Sequence, residues 1–76
     1  MKELVEFVAR NLVSHPDEVR VEQSGGGRVL RLRLHVHPDD MGKVIGREGR
    51  IAQAMRTILK VAAAQPGQRV ELDIGS

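Results

Sequence analysis

Hydrophobic residues recur with a helical period at two places in this 76-residue chain. Residues 2–14 carry apolar side chains three and four positions apart, which predicts an amphipathic helix ending at Ser14-His15-Pro16. Residues 49–63 repeat the pattern and predict a longer helix that ends before Pro66-Gly67. The apolar stripe expected on this longer helix consists of Ile51, Met55, Ile58, Leu59 and Ala62.

Other stretches alternate apolar and polar residues with a period of two, which is typical of strands. The clearest covers residues 29–36 and stops at His37-Pro38. A shorter stretch, Val19 to Glu22, precedes a flexible connection at Ser24 to Gly27, and residues 69–74 form the last strand. Between the second and third strands, Pro38-Asp39-Asp40 predicts the start of a short helix that runs to about Ile45, with both aspartates explained as helix caps.

The resulting order, α-β-β-α-α-β, predicts an α+β fold with three helices packed on one face of a three-stranded sheet. A chain of this length supports one core, so residues 1–76 are expected to form a single domain. The absence of cysteine excludes disulfides and thiolate metal sites, and no apolar run approaches the roughly 20 residues that span a bilayer. Charged residues near the N-terminus interrupt any signal peptide, and we expect a cytoplasmic protein.

Charge is unevenly distributed along the chain, although its net value is only +2. Between Met41 and Lys60 the only acidic residue is Glu48. The basic residues of this stretch are Lys43, Arg47, Arg50, Arg56 and Lys60. A local basic patch on a nearly neutral protein is typical of proteins that bind phosphate-rich ligands.

Two glycines three positions apart, Gly46 and Gly49, stand between the short and the long predicted helices. Glycine can leave a helix through a positive φ, and its missing Cβ lets a ligand backbone approach closely. The N–H groups that open the following helix favour an anion, and phosphate is the obvious one beside Arg47 and Arg50. No Gly-Lys-Ser/Thr follows and no strand precedes the turn, which excludes a Walker loop; a dinucleotide fingerprint is excluded because helices flank it.

The segment Val44-Ile45-Gly46-Arg47-Glu48-Gly49-Arg50-Ile51 resembles the Ile-Gly-x-x-Gly signature of KH domains, which bind single-stranded RNA or DNA. The predicted element order matches the type II arrangement, with a KH core at about 29–76 preceded by a helix and strand at 2–23. The whole chain resembles small bacterial stand-alone KH RNA-binding proteins. That resemblance implies a cytoplasmic RNA chaperone or post-transcriptional regulator, linked to cell elongation and envelope homeostasis, with a Jag-type KH protein as partner.

The same resemblance assigns RNA-binding roles by position. Gly46 to Gly49 would meet the sugar-phosphate backbone of about four nucleotides, and Ser24 to Gly27 would be the variable loop on the far side of the groove. Ile45 and Gly42 would line the groove floor, Lys43 its rim, and the two nearby arginines would steer phosphates. The RNA-binding residues expected on this basis are Gly42, Lys43, Ile45, Gly46, Arg47, Glu48, Gly49, Arg50 and Ala52.

Two positions depart from the KH pattern. Ala52 stands where a larger aliphatic residue is usual, and Glu48 places a carboxylate within the phosphate-facing turn. Phe7 is the only aromatic residue besides the histidines, and its place in the first helical pattern predicts a core position. Because of Ala52 and Glu48 we expect weak, low-specificity and salt-sensitive binding, and since no aromatic is available to stack bases, base preference would come from hydrogen bonds at base edges and apolar contact.

Other functions fit parts of the sequence. The glycine turn between two helices is also compatible with a helix-turn-helix that reads duplex DNA through Arg50, Gln53 and Arg56. A third hypothesis is a protein-interaction scaffold. The apolar edge formed by Met55, Ile58 and Ala62 is also compatible with a homodimer.

No residue pattern indicates an enzyme or a cofactor. His35 and His37 share a strand face but lack a third metal ligand, so no metal site is expected. Arg31 and Arg33 are expected to form salt bridges across the sheet with Glu22, Glu71 and Asp73 rather than to bind RNA.

Overall fold

The computed structural model describes residues 1–63 and 66–75, so residues 64, 65 and 76 of the predicted domain lie outside the described part. The main elements are α1 (Lys2–Leu12), β1 (Arg20–Gly26), β2 (Val29–His35), α2 (Met41–Ile45), α3 (Arg50–Ala62) and β3 (Arg69–Gly75). Short 3₁₀ turns occupy Pro16–Glu18, Pro38–Asp40 and Arg47–Gly49. The α-β-β-α-α-β order and the α+β class are confirmed. None of the helices described is both long and apolar enough to cross a membrane.

The three strands form one mixed sheet in the order β1-β2-β3. β1 and β2 are antiparallel, with Arg20 opposite His35. β2 and β3 are parallel, with His35 opposite Gly75. A parallel pair needs a long connection, which α2 and α3 supply. The chain therefore leaves β2 and ends β3 at the same end of the sheet.

One face of the sheet carries the core. Leu30, Leu32 and Leu34 are buried, while Arg31 and Arg33 between them are exposed, as the alternation along β2 requires. The helices contribute further buried side chains to the same cluster, namely Val5, Ala9, Val44, Met55 and Leu59. All three helices thus cover one face and leave the charged face open.

The buried sides of both long helices differ from the prediction. Phe7 is 67% exposed, so its predicted core position is wrong. Val5 and Ala9 define the buried side of α1, and Phe7 lies about 200° around the helix axis from Val5. On α3 the buried side chains are Ala52, Met55 and Leu59, whereas Ile58 of the predicted stripe is 46% exposed.

β1 is longer than its sequence pattern indicates. It continues through Gly26, so three residues of the predicted connection, Ser24 to Gly26, pair with β2. Gly25 has a φ of +80°, and a Cβ there would stand 2.6 Å from the carbonyl oxygen of Val29. Glycine allows the strands to stay paired at this point, and only Gly27 and Arg28 remain as the turn.

Candidate nucleic-acid interface

The turn between α2 and α3 has a positive φ at three of its four residues. The φ angles are +78° at Gly46, +57° at Glu48 and +74° at Gly49. Glu48 is the only non-glycine residue with a positive φ among residues 1–63 and 66–75. The N–H of Gly49 donates to the carbonyl oxygen of Gly46 at 3.1 Å, which closes the turn. Glycine adopts these angles without strain, and the combination of φ +78° and ψ 174° at Gly46 is essentially restricted to glycine.

The two glycines differ in what surrounds them. A Cβ on Gly46 would stand 2.7 Å from Cγ1 of Ile51 and 2.9 Å from its backbone nitrogen. A Cβ on Gly49 would meet no atom within 4 Å. Gly46 thus lets the turn pack against α3, whereas Gly49 leaves its Cα facing open space where a ligand backbone has room to approach.

The N-terminus of α3 adds a favourable electrostatic environment. Gly49 occupies the N-cap position and has no side chain with which to cap the first N–H groups. α3 has 13 residues, and its dipole places partial positive charge at this end. An anion beside the turn would therefore be stabilised by main-chain groups as well as by side chains.

Arg47 and Arg50 are both exposed beside the turn. The carboxylate of Glu48 lies 3.9 Å from Nη2 of Arg50, and both side chains reach into solvent. An ion pair of this length and exposure contributes little to stability and leaves the guanidinium free to move. Arg47 forms no ion pair with any described residue, so both arginines are accessible to phosphate.

An open groove leads from the turn along the end of β3. Its lining residues are Arg33, Ile45, Gly49, Ala52, Arg56, Asp73 and Ile74. Three of the expected RNA-binding residues, Ile45, Gly49 and Ala52, lie in it. Gly42 is exposed on α2, and a Cβ there would meet nothing within 4 Å. The guanidinium of Arg56 is held in the groove, with Nη2 at 3.1 Å and Nε at 3.3 Å from the carbonyl oxygen of Leu72.

Lys43 is already engaged by protein groups. Its Nζ donates to the hydroxyl of Ser14 and lies 3.3 Å from Oδ1 of Asp40. Asp40 is fully buried, and its carboxylate also accepts the backbone N–H groups of Ser14 and His15 at 3.1 and 3.0 Å. Asp40 thus ties the end of α1 to α2, a role different from the predicted capping of its own helix.

The ionisation of Asp40 reflects two opposing effects. Burial penalises the charged form and by itself would raise the pKa of Asp40. Hydrogen bonds from Ser14, His15 and Lys43 outweigh burial and hold the pKa of Asp40 well below its ordinary value of 3.8. The carboxylate is therefore charged wherever the protein is folded near neutral pH.

The two arginines on the open face of β2 behave differently. Nε of Arg31 lies 3.1 Å from the carboxylate of Glu71, as the predicted salt-bridge pattern requires. Arg33 stands opposite Asp73 in the register, yet it forms no ion pair with any described residue, and the prediction is wrong for Arg33. Its Nη2 instead lies beside Gly75, 3.2 Å from where a Cβ would be. A glycine near the end of a strand is the sequence signal for such a close approach.

His35 and His37, the pair on which a metal site was considered, have different partners. Nε2 of His35 lies 2.6 Å from the carboxylate of Glu22. His37 lies beyond β2 and stacks on His15, with ring centroids 4.0 Å apart. Within residues 1–63 and 66–75, no group of three or more His, Cys, Asp or Glu side chains is arranged to hold a metal ion.

A glycine-bounded turn between two helices, opening onto a groove at the edge of a mixed sheet, is the arrangement of a type II KH domain, a class that binds nucleic acids. The family model for the KhpA/KhpB KH domain matches residues 2–74. The chain belongs to this KhpA/KhpB KH-domain family.

Curated relatives match over nearly their whole length. The chain is 54% identical over 74 residues to the RNA-binding protein KhpA of Halalkalibacterium halodurans, covering 97% of each chain. It is 50% identical to the RNA-binding protein KhpA of Clostridium acetobutylicum, covering 97% of this chain and 99% of that protein. Identity to the RNA-binding protein KhpA of Aquifex aeolicus is 45%, with 97% and 94% covered. No solved structure matched.

Proposed function

We propose that the protein binds single-stranded RNA, with the main chain of Gly46 to Gly49 against the sugar-phosphate backbone of about four nucleotides. The observation that carries this proposal is the turn itself, whose positive φ angles hold bare main chain at the head of an open groove. The printed names of the relatives, RNA-binding protein KhpA, support RNA as the ligand. The function proposed is binding, without catalysis or a cofactor.

Charge and shape divide the groove into two regions. Arg47 and Arg50 offer cations at the turn, where the phosphates would lie. The half-buried Ile45 offers apolar surface further along, where bases would lie, and the buried Ala52 lies beneath it in the groove lining. Arginines facing the backbone contribute most of the affinity and none of the sequence preference, so we expect a strong dependence on salt.

Duplex DNA binding through α3 is less favoured because of Arg56. A recognition helix would need its guanidinium free to reach base edges in the major groove. Both nitrogens that Arg56 uses are instead bonded to the carbonyl oxygen of Leu72. Breaking these bonds would leave a carbonyl without its donors, which opposes that use of the helix.

The test is fluorescence anisotropy with labelled single-stranded RNA and, at matched salt, duplex DNA. The variant Arg47→Asp combined with Glu48→Asp should abolish most RNA binding, because it turns the head of the groove acidic. Lys2→Asp, on exposed α1, makes the same change in charge as Arg47→Asp and serves as the control. Equal RNA binding by the folded loop variant and the parent would exclude this site, and preference for duplex DNA would favour the helix-turn-helix.

We propose further that the protein acts in the cytoplasm as an RNA chaperone or post-transcriptional regulator that influences cell elongation and envelope homeostasis. A groove without aromatic side chains should bind many RNA sequences weakly. Weak binding allows the repeated association and release that an RNA chaperone needs. Acceleration of strand annealing between complementary RNAs would support the chaperone role, and the loop variant should lose it. Cell length after deletion and complementation with the same variants tests the cellular role.

An exposed apolar surface supports a protein partner. Leu4 and Ile58 line a small cleft between α1 and α3, and Phe7 and Val61 extend the apolar surface one turn along each helix. We propose that this surface takes a Jag-type KH protein or a second copy of the chain, consistent with the family name KhpA/KhpB. Sedimentation of the chain alone and with that partner distinguishes the two, and Val61→Asp should weaken whichever complex forms. A protein that sediments with its partner but ignores RNA would be an interaction scaffold.

A further inference from the structure

Arg33 and Asp73 present opposite charges side by side without neutralising each other. They are register partners on β2 and β3, as are Arg31 and Glu71 two residues earlier. The earlier pair closes at 3.1 Å, whereas no ion pair joins the later one. The difference therefore does not come from strand register, and it leaves the hydrogen-bonding groups of Arg33 and Asp73 available to a ligand.

Gly75 explains where the Arg33 side chain goes. β3 is an edge strand, and Gly75 is its last residue. Since Gly75 has no side chain, Nη2 of Arg33 can lie beside it, 3.2 Å from the place a Cβ would take. Arg33 and Asp73, both on strands, line the same open groove as Gly49 and Ala52.

A guanidinium and a carboxylate that lie side by side can bind one base, if hydrogen-bond acceptors on one edge of that base meet the guanidinium and donors on the neighbouring edge meet the carboxylate. Guanidinium only donates hydrogen bonds, and an ionised carboxylate only accepts them. Guanine has acceptors at O6 and N7, the atoms that arginine most often contacts in nucleic acids. Its N1–H and N2 amino group are two adjacent donors that match two carboxylate oxygens.

The other bases match this pair less well. Adenine and cytosine each offer one amino group beside a ring acceptor, and uracil offers one N–H between two carbonyl oxygens. Only guanine gives a carboxylate two neighbouring donors. In an unpaired strand these edges are free to be read, unlike in a duplex.

We propose that Arg33 and Asp73 form a base-selecting site on the sheet side of the groove and that guanine is the base it prefers. This inference rests on the proposed RNA binding and adds sequence preference to it. The turn holds the backbone, and the sheet edge selects one base. The expected low specificity then applies to the rest of the groove.

The experiment compares uridine oligonucleotides that carry one central guanosine, adenosine or inosine, by anisotropy at fixed salt. The parent should bind the guanosine oligonucleotide about tenfold more tightly than the adenosine one, in the range that one bidentate contact supplies. Inosine lacks the N2 amino group and should bind with intermediate affinity. For Asp73→Asn the difference between guanosine and inosine should disappear.

Arg31 and Glu71 provide the matched controls, because they share the strands and the sheet face but are already paired. Arg33→Gln should remove most of the guanosine preference, whereas Arg31→Gln and Glu71→Gln should retain it. Equal affinity of the parent for guanosine and adenosine oligonucleotides, or equal loss in Arg31→Gln and Arg33→Gln, would overturn the base-selecting site. If the base-selecting site fails but Arg47→Asp combined with Glu48→Asp still weakens RNA binding, the proposed function stands. If the parent does not bind RNA, both the base-selecting site and the proposed function are overturned.

Discussion

Nζ of Lys43 lies 3.3 Å from Oδ1 of Asp40, a carboxylate with no exposure to solvent. The cation nearest the glycine turn on its N-terminal side therefore neutralises a buried charge and binds Ser14 as well. This pairing joins α2 to the end of α1. It also separates the basic residues of the patch into those that support the fold and those that are free to meet RNA.

Arg47→Ala and Lys43→Ala should consequently have different effects. Arg47→Ala should weaken RNA binding at low salt and reduce the slope of log affinity against log salt by about 1, because one phosphate contact is lost. Lys43→Ala should change this slope less and lower the melting temperature more. Binding at about 50 and 200 mM salt, together with thermal unfolding, measures both. If Lys43→Ala reduced the slope of log affinity against log salt more than Arg47→Ala does, Lys43 would contact the RNA instead.

Stability should depend on Asp40 in acid. Its pKa in the folded protein is below the ordinary value of 3.8, so the unfolded chain binds this proton more readily than the native one. The contribution of Asp40 is complete above about pH 4 and is lost as the pH falls toward the folded pKa. Unfolding by denaturant across this range should show a falling free energy for the parent.

Asp40→Asn isolates that effect, since the amide keeps the shape and cannot titrate. We expect the variant to be less stable at neutral pH and its stability to change less below about pH 4. Asp39→Asn is the control, because that neighbouring carboxylate is largely exposed. A parent and an Asp40→Asn variant with parallel acid profiles would contradict the assignment.

The fold was more predictable than the site because periodicity reports burial and says little about individual contacts. Alternation from Leu30 to Val36 predicted the central strand, and the glycine spacing predicted the turn. Phe7 was misplaced because its position within the helical pattern does not show which side of α1 is buried, and only Val5 and Ala9 are buried there. Nothing local in the sequence indicates that Asp40 reaches Ser14, 26 residues away. Arg33 and Arg31 have the same strand context, and the one sequence signal that separates them is Gly75, whose place beside Arg33 depends on the strand register.

Gly46→Ala and Gly49→Ala should destabilise the protein by different amounts. Gly49→Ala forces alanine into the left-handed region, which costs about 1–2 kcal/mol, whereas Gly46→Ala forces it into the glycine-only region at φ +78° and ψ 174°, which costs about 1–3 kcal/mol. Gly46→Ala adds a clash with Ile51 and should cost roughly 3 kcal/mol or more, because α3 has to move. Gly49→Ala has open space around its new methyl group, so its main effect should be on RNA approach. Denaturant unfolding and RNA titration of both variants test this, and equal free energies of unfolding would argue against the packing difference.

Glu48 offers a gain in both affinity and stability. Glu48→Gln removes the carboxylate beside the phosphate path and should tighten RNA binding, with the largest effect at low salt. Glu48→Gly should stabilise the fold by about 1 kcal/mol, because glycine adopts the +57° φ at that residue without strain. Glu3→Gln, on exposed α1, is the control for a general change in charge. Unchanged RNA affinity in Glu48→Gln would mean that the carboxylate points away from the bound strand.

The glycine turn is held in place before any ligand arrives, since Gly46 packs on Ile51 and the N–H of Gly49 donates to the carbonyl oxygen of Gly46. Association should therefore require little ordering of the chain, and only the two side chains between the glycines are free to vary. Substitutions at those two positions would therefore change the affinity for RNA. The path of the main chain would stay the same, so proteins that share this turn would differ in RNA affinity through these two side chains alone.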